Sequence, residues 1–259
     1  MGDVRTADLA ESLARVEERI VAACAASGRD RDDVHLVVVT KFFPLDDVRR
    51  LIGLGVTDVG ENKAQEAAAK LAGLDDDERD ALTVHFVGQL QTNKARQVAS
   101  WADVVHTVDR SRLVTALDRG AEQAGRHLDV LLQVDLDDRV DLADAPRSGR
   151  PRASGSRGGA PADGIPALAD EVGRAAHLHL RGVMAVAPLS RSADDAGPSS
   201  TAAVAFAELA RLADQVRSAH PRATMVSAGM SGDLEQAIAH GATHLRVGSA
   251  ILGPRPAPR

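Results

Sequence analysis

A lysine closes one of the most apolar short runs of the sequence. Residues 36–40 read LVVVT, and Lys41 follows directly, before FFP. A run of aliphatic and β-branched residues is typical of a strand buried on both faces. An amine at the end of such a strand loses hydration of its charged form, so the neutral amine can attack a carbonyl and form a Schiff base. The alternative is a structural lysine that reaches solvent or pairs with a carboxylate.

Two further stretches near the C-terminus combine hydroxyl residues with glycine. They read MVSAGMSGDLEQAI and LRVGSAI, and each begins with a short apolar run. Small residues after a strand leave backbone N–H groups accessible, which suits a phosphate, although such turns also cap helices without any ligand. Arg246 lies inside the second run, where it needs either an internal ion pair or a bound anion or heteroaromatic ring.

The elements that would position these residues alternate along the chain. Strand-like runs occur at 35–40, 56–60, 83–88, 103–108, 128–135, 178–186, 223–227 and 243–248. Helix-like segments lie between most of them, at 45–54, 61–72, 110–124, 166–176, 201–218 and 232–240. Such alternation predicts parallel strands with crossover helices, and its length fits a (β/α)8 barrel of the TIM type. An open doubly wound sheet is the alternative.

The barrel is predicted to be a single domain over residues 1–259, with an extra helix before it. Leu9, Leu13, Val16 and Ile20 have helical spacing within residues 7–27. Residues 138–164 are rich in Pro, Gly, Ser, Asp and Arg without any apolar period, which predicts a flexible insertion after the fifth strand. In a barrel of this type the active site lies at the C-terminal ends of the strands, where Lys41 would be.

Composition excludes several classes of protein. The chain has 259 residues, one cysteine and a net charge of -6. A single cysteine can form neither an internal disulfide nor a thiolate metal cluster, and the negative charge argues against nucleic acid. No run is long and apolar enough for a membrane helix, and the N-terminus has no signal-peptide pattern. We therefore expect a cytoplasmic protein without metal, nucleic-acid or membrane partners.

Six stretches in order carry a resemblance to a known family. They read VVVTKFFP, DVGENKAQE, VHFVGQLQTNK, LRGVMAVAP, SAGMSGDLEQAI and THLRVGSAILG. The chain resembles the pyridoxal phosphate homeostasis proteins, single-domain relatives of the N-terminal barrel of alanine racemase. The resemblance implies that Lys41 holds pyridoxal 5'-phosphate as an internal aldimine and that Arg246 faces the pyridine nitrogen. It also implies that the remaining cofactor-binding residues are Asn62, His85, Met184, Ser227, Gly229, Met230, Gly248 and Ser249.

The sequence departs from the family pattern at three places. Lys63 replaces an aromatic residue after GEN, Val84 replaces a tryptophan, and the predicted insertion occupies the region of a Ser-Lys-x-Gly segment. The first two changes alter a wall of the cofactor cavity. The third removes any function that the family assigns to that segment.

Two classes of function share such a cofactor site. A racemase or decarboxylase turns over amino acids, whereas a carrier binds the cofactor and passes it to apo-enzymes. The related racemase uses a tyrosine from a second domain, but this chain contains no tyrosine and ends soon after the last predicted strand. We therefore predict a monomeric, non-catalytic carrier involved in vitamin B6 and amino-acid homeostasis. A Schiff-base aldolase ranks third, because its lysine would more commonly lie on a later strand.

Overall fold

The protein folds into a closed barrel of parallel strands. The structure is a computed structural model that describes residues 3–136, 158–188 and 200–255. The predicted (β/α)8 barrel is confirmed, with eight strands paired in sequence order and β8 paired to β1. The strands are β1 His35–Val39, β2 Asp58–Glu61, β3 Thr83–Phe86, β4 Val104–Val108, β5 Leu128–Gln133, β6 Leu178–Met184, β7 Met225–Ser227 and β8 His244–Val247.

Helices surround the barrel, and several begin and end close to the predicted positions. The described helices are α1 Val4–Ala26, α2 Leu45–Gly53, α3 Ala64–Leu71, α4 Asp76–Asp80, α5 Ala95–Ala99, α6 Ser111–Gln123, α7 Ile165–Arg174, α8 Thr201–Ala219, α9 Leu234–Ala239 and α10 Ser249–Leu252. The short helices α4, α5 and α10 were not predicted. They are too short to show an apolar period in the sequence.

Helix α1 is the extra N-terminal helix. The side chain of Asp3 caps its start by accepting a hydrogen bond from the Arg5 amide, and Leu9, Val16 and Ile20 are buried. It packs against α9 and α10, the helices on either side of β8 in the chain. Its Arg19 also donates a hydrogen bond of 3.0 Å to the carbonyl oxygen of Ser231. The helix therefore braces the loops that follow β7 and β8.

The strand register brings the ends of β1, β2 and β8 together. Val38 of β1 lies opposite Val59 of β2 on one side and opposite Val247 of β8 on the other. In parallel strands the C-terminal ends face the same mouth of the barrel. The residues that follow these strands, Lys41, Asn62 and Gly248, are therefore neighbours around that mouth.

The strands of the barrel carry several buried polar side chains. Between the strands and the helices lies a large apolar core, whereas a small separate cluster contains Val104, Leu131 and Met184. The buried polar side chains of the strands are Glu61, His85, His106, Thr107, Gln133, Ser227, His244 and Arg246. Since buried polar groups cost free energy unless they are hydrogen-bonded, their partners determine what this interior can do.

The insertion predicted over residues 138–164 lies outside the described residues as far as residue 157. The part from Gly158 onward is described and belongs to the barrel. Ala160 forms a parallel bridge with Val134 of the chain after β5, and residues Ala162–Gly164 form a 3-10 turn that leads into α7. Ala162 is buried. Residues 158–164 of the predicted insertion thus have defined contacts, although single buried alanines leave no periodic signal in the sequence.

Candidate functional site

Lys41 lies in the turn between β1 and α2, at the mouth of the barrel. It is half-buried, and its Nζ atom is 5.8 Å from the centre of the Phe42 ring. Phe42 has a φ angle of 70°, which a bulky residue adopts only when its surroundings enforce it. The backbone after Lys41 is thus held in a strained turn, a feature that clusters at ligand sites.

A buried ion pair fixes the residue before Lys41. Lys70 of α3 donates hydrogen bonds to a Glu61 carboxylate oxygen at 2.5 Å and to the carbonyl oxygen of Thr40 at 2.9 Å. The Thr40 hydroxyl donates to the same Glu61 oxygen at 2.6 Å. The side chains of Lys70 and Glu61 are only 10% and 3% exposed. This network joins β1, β2 and α3 directly beneath the Lys41 turn.

Asn62 follows β2 and offers an unsatisfied acceptor. Its side-chain oxygen Oδ1 is buried and has no hydrogen-bond partner within the described part of the chain. Such an atom costs about 1–3 kcal/mol unless a ligand or water completes it. Next to it, Lys63 pairs with Glu66 at 2.5 Å and lies 5.0 Å from the Phe42 ring centre. Lys63, where the sequence departs from the family pattern, therefore contacts the Phe42 ring.

Hydroxyl groups from two loops meet beside β1. The Oγ atoms of Ser231 and Ser249 are 3.4 Å apart, and the amide of Ala250 lies 3.4 Å from Ser231 Oγ. A Cβ atom on Gly248 would lie 3.1 Å from the carbonyl oxygen of Val39, so only glycine allows this loop to approach β1 so closely. We call Ser231, Gly248 and Ser249 the hydroxyl cup.

Two other predicted residues support the hydroxyl cup from below. Gly229 has a φ angle of +89°, and a Cβ atom there would lie 2.7 Å from that of Ala237. The side chain of Met230 is 38% exposed, but its amide already donates to Asp233 Oδ1 at 2.6 Å. Burial raises the pKa of Asp233 above its usual value. The Met230 amide, which was predicted to bind phosphate, therefore already donates its hydrogen bond to a carboxylate.

Arg246 is buried inside the barrel with neutral partners. It donates to Ser227 Oγ at 2.6 Å and to the carbonyl oxygen of Ala185 at 2.8 Å. Burial lowers the pKa of its guanidinium to about 10, an effect opposed by the charge of Asp233. The group remains protonated at neutral pH and can only donate hydrogen bonds.

Ser227 and His85 lie deeper than the sequence analysis predicted. Ser227 is fully buried, and its hydroxyl is engaged by Arg246 and by His106, not by the hydroxyl cup. His85 is 1% exposed, and both of its ring nitrogens have partners within the barrel. Met184 is buried in the interior apolar cluster. These three side chains therefore lie in the interior, beneath the barrel mouth.

Sequence reasoning missed Ser231 and His106. Ser231 lies in the motif SAGMSGD, and the signal that could have identified it is its hydroxyl at the start of the turn toward α9. His106 lies in VVHTV, where a buried histidine resembles any other strand residue. Its role becomes visible only when β4 and β7 are seen to face each other across the barrel.

Comparison with known proteins gives consistent matches over the whole barrel. The family model described as alanine racemase, N-terminal domain, matches residues 12–256. The pyridoxal phosphate homeostasis protein of Mycobacterium tuberculosis is 38% identical over 97% of this chain and 94% of its own length. PipY of Synechococcus elongatus without PLP has a TM-score of 0.75 and 30% identity, over 95% of this chain and 100% of PipY. The same protein with PLP bound has a TM-score of 0.69 and 32% identity over the same shares.

Proposed function

The chain belongs to the alanine racemase N-terminal domain family and, within it, to the pyridoxal phosphate homeostasis proteins, and from this premise we propose that it binds pyridoxal 5'-phosphate at the barrel mouth. The observation that carries the proposal is the approach of Gly248 to Val39, which sets the hydroxyl cup beside the strand that leads to Lys41. An amine and an anion-binding pocket on adjacent strands match the aldehyde and the phosphate of this cofactor.

Lys41 is the residue we assign to covalent attachment. Lys41 would hold the cofactor through its Nζ amine, and the cofactor would supply an aldehyde for that attachment. The strained turn at Phe42 and the ion pair of Lys70 with Glu61 hold the backbone around Lys41 in place. No other lysine lies at the end of a strand beside the hydroxyl cup in the part of the chain that the structure describes.

Ser231 and Ser249 are the hydroxyl donors we assign to the phosphate, with Gly248 providing space and Gly229 and Met230 shaping the loop beneath. Asn62 fits the cofactor because its buried Oδ1 atom lacks a partner among the described residues. We assign Arg246 to the pyridine nitrogen. Ser227, His85 and Met184 belong to the layer that supports Arg246 and the floor of the site.

We further propose that the protein carries the cofactor without turning over amino acids. When bound, the cofactor supplies an electrophilic carbon and an electron-accepting ring. A guanidinium cannot accept a proton from the ring nitrogen or pair with a protonated one, so Arg246 favours the unprotonated, weakly accepting form. The sequence also contains no tyrosine to serve as a second acid or base.

The remaining features of the proposal concern the setting in which the protein acts. We propose a monomeric single-domain protein of the cytoplasm that passes its cofactor to PLP-dependent apo-enzymes. Among the described residues, no helix is both long enough and apolar enough to cross a bilayer. Delivery to an apo-enzyme agrees with the open position of the hydroxyl cup, in which Ser249 is exposed.

Attachment is tested by borohydride reduction of the protein loaded with pyridoxal phosphate, followed by peptide mapping. We expect the reduced cofactor on Lys41 and its loss in Lys41→Ala. Lys63→Ala is the matched control, since Lys63 lies near the same Phe42 ring but outside the proposed attachment point. Reduced cofactor on Lys63 or Lys94, or none at all, would refute the assignment.

Turnover is tested by deuterium incorporation at the α-carbon of a panel of L-amino acids. We expect the loaded protein to exchange no faster than free cofactor, while an apo-enzyme incubated with it regains activity. Lys41→Ala is measured in parallel. Exchange or decarboxylation that depends on Lys41 would show instead that the protein is a racemase or decarboxylase.

A further inference from the structure

A chain of hydrogen bonds crosses the interior of the barrel and ends at Arg246. Asp58, the first residue of β2, lies 2.9 Å from His85 Nε2, and His85 Nδ1 lies 2.8 Å from His106 Nε2. His106 Nδ1 is 2.9 Å from Ser227 Oγ, which accepts from Arg246 at 2.6 Å. The two histidines and the serine are at most 1% exposed. The hydrogen-bond chain therefore lies in the buried interior of the barrel.

The donor at one end favours one direction for the bonds. The guanidinium of Arg246 can only donate, so Ser227 Oγ accepts from it and has a single hydrogen left to give. His106 Nδ1 lies within reach of that hydrogen, and an unprotonated Nδ1 accepts it. A neutral His106 then carries its proton on Nε2 and donates it to His85 Nδ1. By the same reasoning His85 carries its proton on Nε2 and donates to Asp58.

The acceptor at the other end favours the same direction. A carboxylate can only accept, so Asp58 receives the hydrogen of His85. Burial alone would raise the pKa of Asp58, but hydrogen bonds from His85 and Thr57 hold it below its usual value. Burial, reinforced by the charges of His85 and Arg246, holds the pKa of His106 well below its usual value. The end groups are thus charged and His106 is neutral at physiological pH.

We propose that Asp58, His85 and His106 are positioning residues that act through Ser227 to orient the Arg246 guanidinium, with all hydrogen bonds directed from Arg246 toward Asp58. The chain links the buried cation to a carboxylate at the opposite end of the strands. Asp58 there borders a cleft of about 660 Å³. A change at this far end should therefore alter the arginine at the barrel mouth.

The expected effect on cofactor affinity rests on the proposed function, but the direction of the hydrogen bonds does not. Arg246 has only neutral hydrogen-bond acceptors, Ser227 Oγ and the carbonyl oxygen of Ala185. If the Ser227 hydroxyl rotated, its hydrogen could turn toward the guanidinium and weaken the bond from Arg246. Loss of the chain should therefore free the guanidinium to tilt without disturbing the hydroxyl cup.

The direction of the chain is measured by NMR on cofactor-free protein labelled with 15N-histidine. Two-bond 1H–15N spectra at neutral pH should show His85 and His106 both protonated on Nε2 alone. A proton on His106 Nδ1, or a doubly protonated ring, would overturn the inference. A correct tautomer with no cofactor binding would refute the proposed function alone, so the two failures are distinguishable.

The positioning role is tested with Asp58→Ala beside Asp129→Ala. Asp129 is a suitable control because it lies near the start of a strand and, like Asp58, pairs with a histidine. Its partners, His179 and Arg181, do not belong to the hydrogen-bond chain that ends at Arg246. Asp58→Ala should shift the side-chain 15N resonances of Arg246 and weaken cofactor affinity about three- to thirtyfold, the size typical of transmitted effects. Equal behaviour of the two variants would overturn the positioning role.

Discussion

The hydroxyls of Ser227, Ser231 and Ser249 lie in three different environments, although all follow β7 or β8. Ser227 is fully buried and links Arg246 to His106, whereas Ser231 is half-buried and Ser249 is exposed. A hydroxyl that satisfies other buried groups contributes to stability, while one that faces the mouth contributes to ligand affinity. The three serines therefore allow the two contributions to be separated.

Alanine substitution of each serine should divide them into two classes. Ser231→Ala and Ser249→Ala should weaken cofactor binding about ten- to hundredfold through a lost charge-assisted hydrogen bond, with little change in stability. Ser227→Ala should destabilise the cofactor-free protein by about 1–3 kcal/mol, because His106 and Arg246 each lose a partner. Dialysis retention and thermal unfolding measure the two quantities. Similar unfolding temperatures for all three variants would contradict the assignment.

The raised pKa of Asp233 predicts that replacing this residue, beside the hydroxyl cup, stabilises the protein. Because burial raises its pKa from 3.8, the folded state binds its proton more tightly than the unfolded state does. Its contribution to stability is therefore lost as pH rises through the raised pKa, and at neutral pH the full penalty remains. Asp233→Asn removes this charge and can still accept from the Met230 amide.

We expect Asp233→Asn to be more stable than the wild type at neutral pH, and the gain should fade below the ordinary pKa of aspartate. It should also retain pyridoxal phosphate more tightly, since a carboxylate no longer lies near the phosphate loop. Urea unfolding at both pH values tests the first expectation, with Asp80→Asn as an exposed control at the end of α4. An equal gain at both pH values would exclude the charge as the cause.

At this scale the sequence pointed to candidate residues but not to their hydrogen-bond partners. The apolar run before Lys41 drew attention to the lysine, because its apolar neighbours and its charge can both be seen in the sequence. The position of Ser227 could not be predicted, since nothing local shows whether a hydroxyl at a strand end points into the barrel or toward its mouth. The neighbour that decides this, His106, is 121 positions away along the chain.

Between elements, two lysine–glutamate pairs of equal length offer a matched comparison. Lys70 and Glu61 join α3 to β2 at 2.5 Å, with exposures of 10% and 3%. Lys63 and Glu66 are also 2.5 Å apart, but they are 46% and 53% exposed. Exposed pairs contribute little, whereas breaking a buried pair leaves an uncompensated charge.

Lys70→Met should destabilise the protein by about 3–5 kcal/mol, and Lys63→Met by less than about 1 kcal/mol. Because Lys70 also bonds to the Thr40 carbonyl, its loss should loosen the Lys41 turn and slow borohydride-trapped attachment. The double variant Lys70→Met, Glu61→Gln should recover part of the stability. Urea unfolding of five proteins tests this: the wild type, Lys63→Met, Lys70→Met, Glu61→Gln and the double variant. Additive losses in the double variant would show that the pair is not coupled.

The order of elements was predictable because strands buried on both faces and amphipathic helices differ in period. The predicted helices at 45–54, 110–124 and 201–218 agree closely with α2, α6 and α8. The predicted helix at 61–72 begins at Ala64, since GEN continues the strand and turn. The part of the insertion after Gly158 was missed because its order comes from a single bridge to Val134. Tertiary contacts of this kind leave no local pattern.

The stability of the whole barrel depends on the protonation of its buried histidines. His244 stacks on His35 with ring centres 4.8 Å apart, and Asp58, His85 and Arg181 also face it. Burial, with the nearby cationic groups, lowers its pKa from 6.5 to about 3. The pKa of His106 is lowered in the same direction. The interior is therefore built for neutral imidazoles, and protonating them opposes folding.

The pH dependence of stability follows from these lowered pKa values. Below the ordinary histidine pKa of 6.5, the unfolded chain binds protons that folded His244 does not bind until about pH 3. Stability is thus complete above pH 6.5 and is lost as pH falls toward 3, by up to about 1.4 kcal/mol per pH unit for each such histidine. His244→Phe keeps a ring against His35 and should flatten this slope in urea unfolding of cofactor-free protein. His179→Phe, at a side chain that is 56% exposed, should retain the wild-type slope. A wild-type slope in His244→Phe would mean that other groups cause the acid sensitivity.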